Sequence, residues 1–161
     1  MAPSMASGPS LSQAAQDGPS PRHAILRLKM PSRREAIAPT VERVVAEVAA
    51  VVPNADQRAN LAVALSEALS NAVVHGNRRR GEAVVLVVVC VTAAGVVVVD
   101  VHDFGPGFDV AAVNDCREGE RILAPSGRGI FLMRNLVDRV EFNSRGNRVR
   151  LSLTARKRDR A

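Results

Sequence analysis

The stretch QRANLAVALSEALSNAVVHG, from Gln57 to Gly76, predicts a helix that carries a polar ridge. Glu67, Asn71 and His75 are spaced four residues apart. Four residues turn an α-helix by about 400°, so the three side chains lie nearly one above the other. The apolar face beside this ridge is made by Leu61, Ala64, Leu65, Ala68, Leu69, Ala72 and Val73. The ridge can therefore line a cleft, although an ordinary amphipathic helix with these polar residues is the alternative.

A second motif, Asp103-Phe104-Gly105-Pro106-Gly107, directly follows the valine-rich strand that is predicted at Val96 to His102. Alternation along this strand places Asp100 and His102 on the solvent face and Asp103 on the core side. A buried carboxylate needs hydrogen-bond donors, and glycines let the backbone approach a flat ligand. The exocyclic amine of adenine would be such a donor. The alternative is a strand-end aspartate that begins a Gly/Pro turn.

A third motif, Ser126-Gly127-Arg128-Gly129, precedes an apolar helix that is predicted from Ile130 onward. Unpaired N–H groups and the positive dipole end at a helix start favour phosphate binding. A glycine-rich turn is weak evidence by itself. The order of the three motifs along the chain is the more specific signal.

This ordered set resembles the ATP-binding fold shared by DNA gyrase, a heat-shock chaperone, sensor histidine kinases and a DNA mismatch-repair protein (the GHKL superfamily). Within it, the chain is most similar to the anti-sigma-factor serine/threonine kinases. The resemblance is carried by SEALSNAVVHG (66–76), DFGPGFD (103–109) and SGRGIFLMRNLVD (126–138), and it covers roughly residues 24 to 155.

The resemblance implies a role for each matching residue. Glu67 corresponds to the general base, Asn71 to the Mg²⁺ ligand and Asp103 to the adenine anchor, so ATP and Mg²⁺ are the implied cofactors. The nucleotide loops correspond to Gly105, Gly107, Gly127, Arg128 and Gly129. These residue types suit phosphoryl transfer, which requires mainly positioning and charge neutralisation around one base and one metal. His75 matches a position without a clear role.

Two other kinds of ATP site are excluded by the sequence. Asp103-Phe104-Gly105 spells the DFG of eukaryotic-type protein kinases, but the β3 lysine and the H-R-D loop of those enzymes are absent. Lysine occurs only at Lys29 and Lys157, so the sequence contains no G-x-x-x-x-G-K-[ST] phosphate loop.

The expected fold is α/β, a two-layer sandwich of the histidine-kinase-like ATPase (Bergerat) type, with a mostly antiparallel mixed sheet and helices on one face. Strands are predicted at 23–30, at two segments within 83–99 joined by a turn at Thr92 to Gly95, and around 140–142 and 149–153. Helices are predicted at 34–52 and 57–75.

The composition predicts a single domain. The chain has 161 residues, of which 47% are hydrophobic, which suffices for one core. Residues 1–22 are rich in Ser, Pro, Gly and Ala and are expected to form a disordered leader. Residues 23–156 form the predicted ATP-binding domain, and residues 157–161 a basic tail. The polar segment Val110 to Pro125 is either a lid over the phosphates or an exposed loop, and the resemblance favours a lid.

The net charge of +6 is compatible with nucleic-acid binding, but the aromatic content is 2%, without Trp or Tyr. Stacking platforms for bases are therefore missing, and we expect no direct nucleic-acid partner. Thr92 to Gly95 interrupts the valine-rich span, so no membrane helix is expected. The leader has no signal-peptide pattern and the two cysteines form no C-x-x-C pair, so a cytoplasmic location is expected.

The resemblance implies three partners: a sigma factor, a small anti-sigma-factor antagonist and a second copy of the chain. The sequence also departs from the family, because Pro39 stands near the place of an arginine early in the first helix, with Arg33, Arg34 and Arg43 nearby. Two hypotheses follow. Glu67 favours a serine kinase that phosphorylates the antagonist and sequesters the sigma factor, whereas Pro39 favours a nucleotide-gated binding module without significant kinase activity.

Overall fold

The computed structural model describes residues 22–78, 82–114 and 125–155. The predicted leader, the basic tail and most of the predicted lid, including Arg117, Arg121 and Cys116, lie outside the described residues. No helix within the described ranges is long and apolar enough to cross a bilayer.

Among the described residues, five strands form one sheet in the order β1-β2-β3-β5-β4. Each of the four strand pairs is antiparallel, so the described sheet is antiparallel throughout, and no parallel pair occurs among these strands. The strand bounds are β1 Arg22–Pro31, β2 Val84–Thr92, β3 Val96–His102, β4 Arg139–Phe142 and β5 Arg148–Thr154. The predicted turn between the two valine-rich strands is confirmed, with Gly95 at a φ of +76°.

In the described part of the chain, four α-helices accompany the sheet: α1 Ile37–Val48, α2 Ala55–Asn71, α3 Val110–Asn114 and α4 Pro125–Leu136. The first predicted helix is shorter than expected, because a 3-10 turn occupies Arg34–Ala36 and α1 ends at Val48. Pro53 disfavours helical geometry at the residue before it, which is consistent with this early end. The Asn54 side chain accepts a 3.0 Å hydrogen bond from the Gln57 N–H and so caps α2.

The core lies between the helices and one face of the sheet. Alternate strand residues such as Val87, Val99 and Leu151 are fully buried against Val44 and Leu65 of the helices. Burying apolar surface of this kind stabilises the fold by about 25 cal/mol per Å². The predicted two-layer sandwich with helices on one sheet face is confirmed.

The other sheet face holds a buried ion pair. Asp100 lies on this face as predicted, yet it is only 8% exposed. Arg150, its direct neighbour on β5, donates from Nε to Oδ1 over 2.8 Å and from Nη2 to Oδ2 over 3.0 Å. Hydrogen bonding to Asp100 raises the pKa of Arg150. A bidentate pair of this kind shields both charges from water.

We expect Asp100→Val to lower the free energy of unfolding by roughly 3 kcal/mol, because Arg150 would lose its two hydrogen bonds to the carboxylate while its charge stays partly desolvated. The double variant Asp100→Val with Arg150→Met removes both charges and should recover most of that loss. Urea denaturation of the two variants and the wild type measures this. Equal destabilisation of the single and double variants would show that the loss does not come from an Arg150 charge that has lost the Asp100 carboxylate.

Candidate functional site

A cavity of about 430 Å³ opens between the end of α2, the loop after β3, helix α4 and the β4–β5 hairpin. Its volume lies in the range that small-molecule sites occupy. Asn71 and His75 line it from one side, and Ile130 and Met133 line it from α4. Asp103 is also part of the wall. Two residues of the predicted ridge, Asn71 and His75, therefore meet the predicted aspartate at one cavity.

Helix α2 continues into a π-helical turn at Ala72–Gly76, closed by a 2.7 Å hydrogen bond from the Asn77 N–H to the Ala72 carbonyl. Such turns widen a helix locally and are frequent at functional sites. The turn leaves His75 exposed at the cavity and brings Gly76 against the Asp103 carboxylate. The sequence predicted the end at Gly76 but not the π geometry.

Asp103 is 8% exposed and lines the cavity, as alternation along β3 predicts. Burial raises the pKa of its carboxyl, because a desolvated carboxylate loses hydration, while hydrogen bonds from backbone N–H groups oppose this shift. One of them is the 2.8 Å bond from the Gly105 N–H to Oδ1. A carboxylate can accept several hydrogen bonds, so Asp103 retains acceptor capacity toward a ligand in the cavity.

Glycines permit the close approaches that build this wall. A methyl group on Gly76 would overlap the Asp103 carboxylate, and one on Gly105 would overlap the Gly76 carbonyl. Gly107 and Gly146 also permit a close approach, and both have a positive φ, of +77° and +74°. A methyl group on Gly107 would overlap the Arg145 carbonyl, and one on Gly146 would overlap the Phe108 backbone. The loop after β3 is thus held between the end of α2 and the β4–β5 hairpin.

The start of α4 lies over the other end of the ridge. A methyl group on Gly129 would come within 2.9 Å of Glu67 Oε2 and 3.4 Å of Asn71 Nδ2. Glu67 itself does not line the cavity. It lies at the edge of the site because, like Asn71, it is close to Gly129 at the start of α4. The positive end of α4 thus lies beside a carboxylate and an amide.

The second glycine motif differs from its expected geometry. Gly127 and Gly129 do not precede the helix, because α4 begins at Pro125 and includes both. Proline suits the first helical position, since its missing N–H needs no partner there. The N–H groups in the first turn of an α-helix have no acceptor within the helix itself. Arg128 is exposed on this turn.

The far wall of the cavity was not predicted. Phe108 and Phe142 pack edge to face with ring centroids 5.2 Å apart, and Asn147 and Arg148 complete this side. These residues come from the loop after β3 and from the β4–β5 hairpin. The strands predicted around 140–142 and 149–153 form this hairpin, but no sequence signal indicated which surface the hairpin would face.

Comparison with known proteins gives one family and several relatives. The family model for the histidine kinase-like ATPase domain matches residues 30–153. A protein named Anti-sigma F factor from Heyndrickxia coagulans is 32% identical over 117 residues, which cover 70% of this chain and 77% of that protein. Its namesake from Geobacillus thermodenitrificans is 31% identical over 109 residues, covering 65% of this chain and 73% of that one.

The fold is also similar to a solved structure. The crystal structure of the RsbU and RsbW domains of a Mycobacterium tuberculosis protein matches with a TM-score of 0.57 and 19% identity. The match covers 84% of this chain but only 33% of the longer one. This likeness concerns the fold of the matched part.

We expect Gly105→Ala to abolish most ATP binding, because its methyl group would push the loop away from the Gly76 carbonyl and displace Asp103. Gly95→Ala is the control: it places alanine at a φ of +76°, a conformation that Gly105 does not have, but no atom lies within 4 Å of its added methyl group. Isothermal titration with ATP measures both. Wild-type affinity in Gly105→Ala would show that the tight loop is not needed.

Proposed function

This chain belongs to the histidine kinase-like ATPase domain family, and we propose that it is an anti-sigma regulatory factor with ATP-dependent protein serine kinase activity. Membership of the family implies ATP binding. The relatives named Anti-sigma F factor support the regulatory role. The observation that carries the proposal is the buried Asp103 carboxylate in a cavity that leads to Asn71 and, beside it, Glu67.

The adenine end of the site is proposed at Asp103. The carboxylate would accept a hydrogen bond from the exocyclic amine, and the apolar side chains of Ile130, Met133 and Phe142 suit an aromatic ring. The cavity lining is predominantly apolar, and Asp103 is buried whereas Asp109, its other carboxylate, is exposed, so the contact with Asp103 would set the orientation of the base. Gly107 lets the loop backbone approach the ligand.

The phosphate end is proposed at the start of α4. Gly127, Arg128 and Gly129 belong to a helix start whose N–H groups and dipole favour anions. Asn71 would hold Mg²⁺ through its side-chain oxygen, since Mg²⁺ prefers oxygen ligands and is commonly shared with phosphates. The metal would neutralise charge on the phosphates.

Glu67 is proposed as the general base. The serine hydroxyl of the antagonist would give its proton to the Glu67 carboxylate as the serine oxygen bonds to the γ-phosphorus of ATP. The bond between that phosphorus and the β,γ-bridging oxygen breaks, and ADP leaves with the electron pair. Glu67 lies beside Asn71 and Gly129, where the phosphates are expected.

The proposed partners are a sigma factor, a small anti-sigma-factor antagonist and a second copy of this chain, in the cytoplasm. The names of the relatives support a sigma factor as partner. Pro39 lies in the first turn of α1 and is exposed, as are Arg33, Arg34 and Arg43. These residues are therefore available for a partner contact.

Asp103→Asn is expected to weaken ADP and ATP binding on the order of a hundredfold, because the amide can present a donor to the donor amine of adenine. Asp109→Asn is the matched control, since Asp109 also lines the cavity but is exposed and caps α3. Isothermal titration measures both variants. Unchanged affinity in Asp103→Asn would remove Asp103 as the adenine anchor.

Glu67→Gln is expected to keep nucleotide affinity near that of the wild type, while phosphate transfer to the partner falls by roughly a hundred- to ten-thousand-fold. Asn71→Ala should weaken Mg²⁺-dependent binding as well. Transfer of labelled γ-phosphate to a small antagonist protein captured with the chain in the presence of ATP or ADP measures the rate. Glu42→Gln on the exposed side of α1 is the control for loss of a carboxylate.

The two hypotheses give different results in this assay. Wild-type transfer by Glu67→Gln would exclude Glu67 as the base. A wild-type protein that binds ATP and the antagonist but transfers no phosphate would favour the nucleotide-gated binding module.

A further inference from the structure

Asn77, the residue after the π-helical turn, has a side chain whose hydrogen bonds connect three separate segments. It is 3% exposed and does not line the cavity. Its Nδ2 donates to the Ser32 Oγ over 3.1 Å and to the Val84 carbonyl over 2.9 Å. Its Oδ1 accepts from the Phe104 N–H over 3.0 Å. An amide is needed here, because the three contacts require two donors and one acceptor.

The contact with Phe104 acts directly on Asp103. The Phe104 nitrogen belongs to the planar peptide bond that begins at the Asp103 carbonyl, so holding this nitrogen fixes the peptide plane that follows Asp103. On the other side, the Asp103 N–H donates to the Asn147 carbonyl over 3.0 Å. Asp103 is therefore held at both of its peptide bonds, by Asn77 and by the hairpin.

Side-chain packing provides little additional support for this loop. The Phe104 ring is 48% exposed and stacks only on the His102 ring, with centroids 5.0 Å apart, among its aromatic contacts in the described part of the chain. The buried Asn77 amide is a firmer support, because it is itself held by Ser32, directly after β1, and by Val84 at the start of β2. Losing the Asn77 side chain would leave the Phe104 N–H without this acceptor and free the loop to shift.

We propose that Asn77 is a positioning residue that sets the preference of the cavity for adenine by holding the Asp103 carboxylate in place. The inference rests on the proposed adenine site at Asp103. A misplaced Asp103 loses its contact with the 6-amino group but leaves the contacts with the ring face and the phosphates. The consequence is a selective loss of the amine contribution to binding, and not a general loss of affinity.

The test compares ADP with purine riboside diphosphate, which lacks the 6-amino group, in titrations with the wild type and with Asn77→Ala. Asn77→Ala should weaken ADP binding about tenfold while the affinity for purine riboside diphosphate changes less than about twofold. Ser32→Ala removes one partner of Nδ2 but keeps the Oδ1 contact, so it should retain the preference for ADP. Val97→Ala, a core change on β3, is the control for general destabilisation.

Four results would overturn the inference. Equal weakening of both nucleotides in Asn77→Ala would assign Asn77 a purely structural role, and an unchanged ADP preference would exclude it as the support of Asp103. A wild type that binds both nucleotides equally would overturn the amine contact itself, and one that binds neither would overturn the proposed nucleotide site. If Asn77→Ala does not fold, Asn77→Ser is measured instead. Serine keeps a polar group at this position, but its hydroxyl oxygen lies one bond closer to the backbone than Oδ1 of Asn77 and so cannot make the same contact with the Phe104 N–H.

Discussion

The close packing of the Asp103 carboxylate against Gly76 is the constraint on which the site depends. A charged group can be buried only when donors and the surrounding backbone compensate for its lost hydration. Here the end of β3 supplies the carboxylate, the Gly105 N–H supplies a donor, and a glycine at the end of α2 leaves room for both. Any side chain at position 76 would overlap the Asp103 carboxylate. The buried aspartate after β3 therefore requires a glycine at the end of the helical segment that follows α2.

The contact between Asp103 and Gly76 explains why the sheet and the helices enclose a cavity here, whereas elsewhere they pack into a continuous core. Away from the site, β2 and β3 bury alternate valines against α1 and α2. At the end of β3 the same alternation turns a carboxylate inward, and the π-helical turn after α2 widens the helix beside it. The packed layers thus hold a polar group at a fixed position, as orientation of a ligand requires.

Much of this arrangement was predictable from the sequence because it follows from short-range periodicity. Alternation in β3 predicted that Asp103 points inward, and four-residue spacing predicted the ridge of Glu67, Asn71 and His75. The contributions of Asn77, Phe142 and Gly146 were not predictable, because each depends on contacts between segments that are far apart in the chain. The start of α4 at Pro125 was not predicted either. Glycine has a low helix propensity, so Gly127 and Gly129 indicated a loop before the helix.

The most direct measurement of the central claim is a crystal structure of the chain with Mg²⁺ and a non-hydrolysable ATP analogue. The account predicts the 6-amino group of adenine about 3 Å from an Asp103 carboxylate oxygen, with the phosphates at the first turn of α4 and the metal on the Asn71 side-chain oxygen. An analogue bound elsewhere, or an adenine ring that leaves the Asp103 carboxylate without a contact, would contradict it.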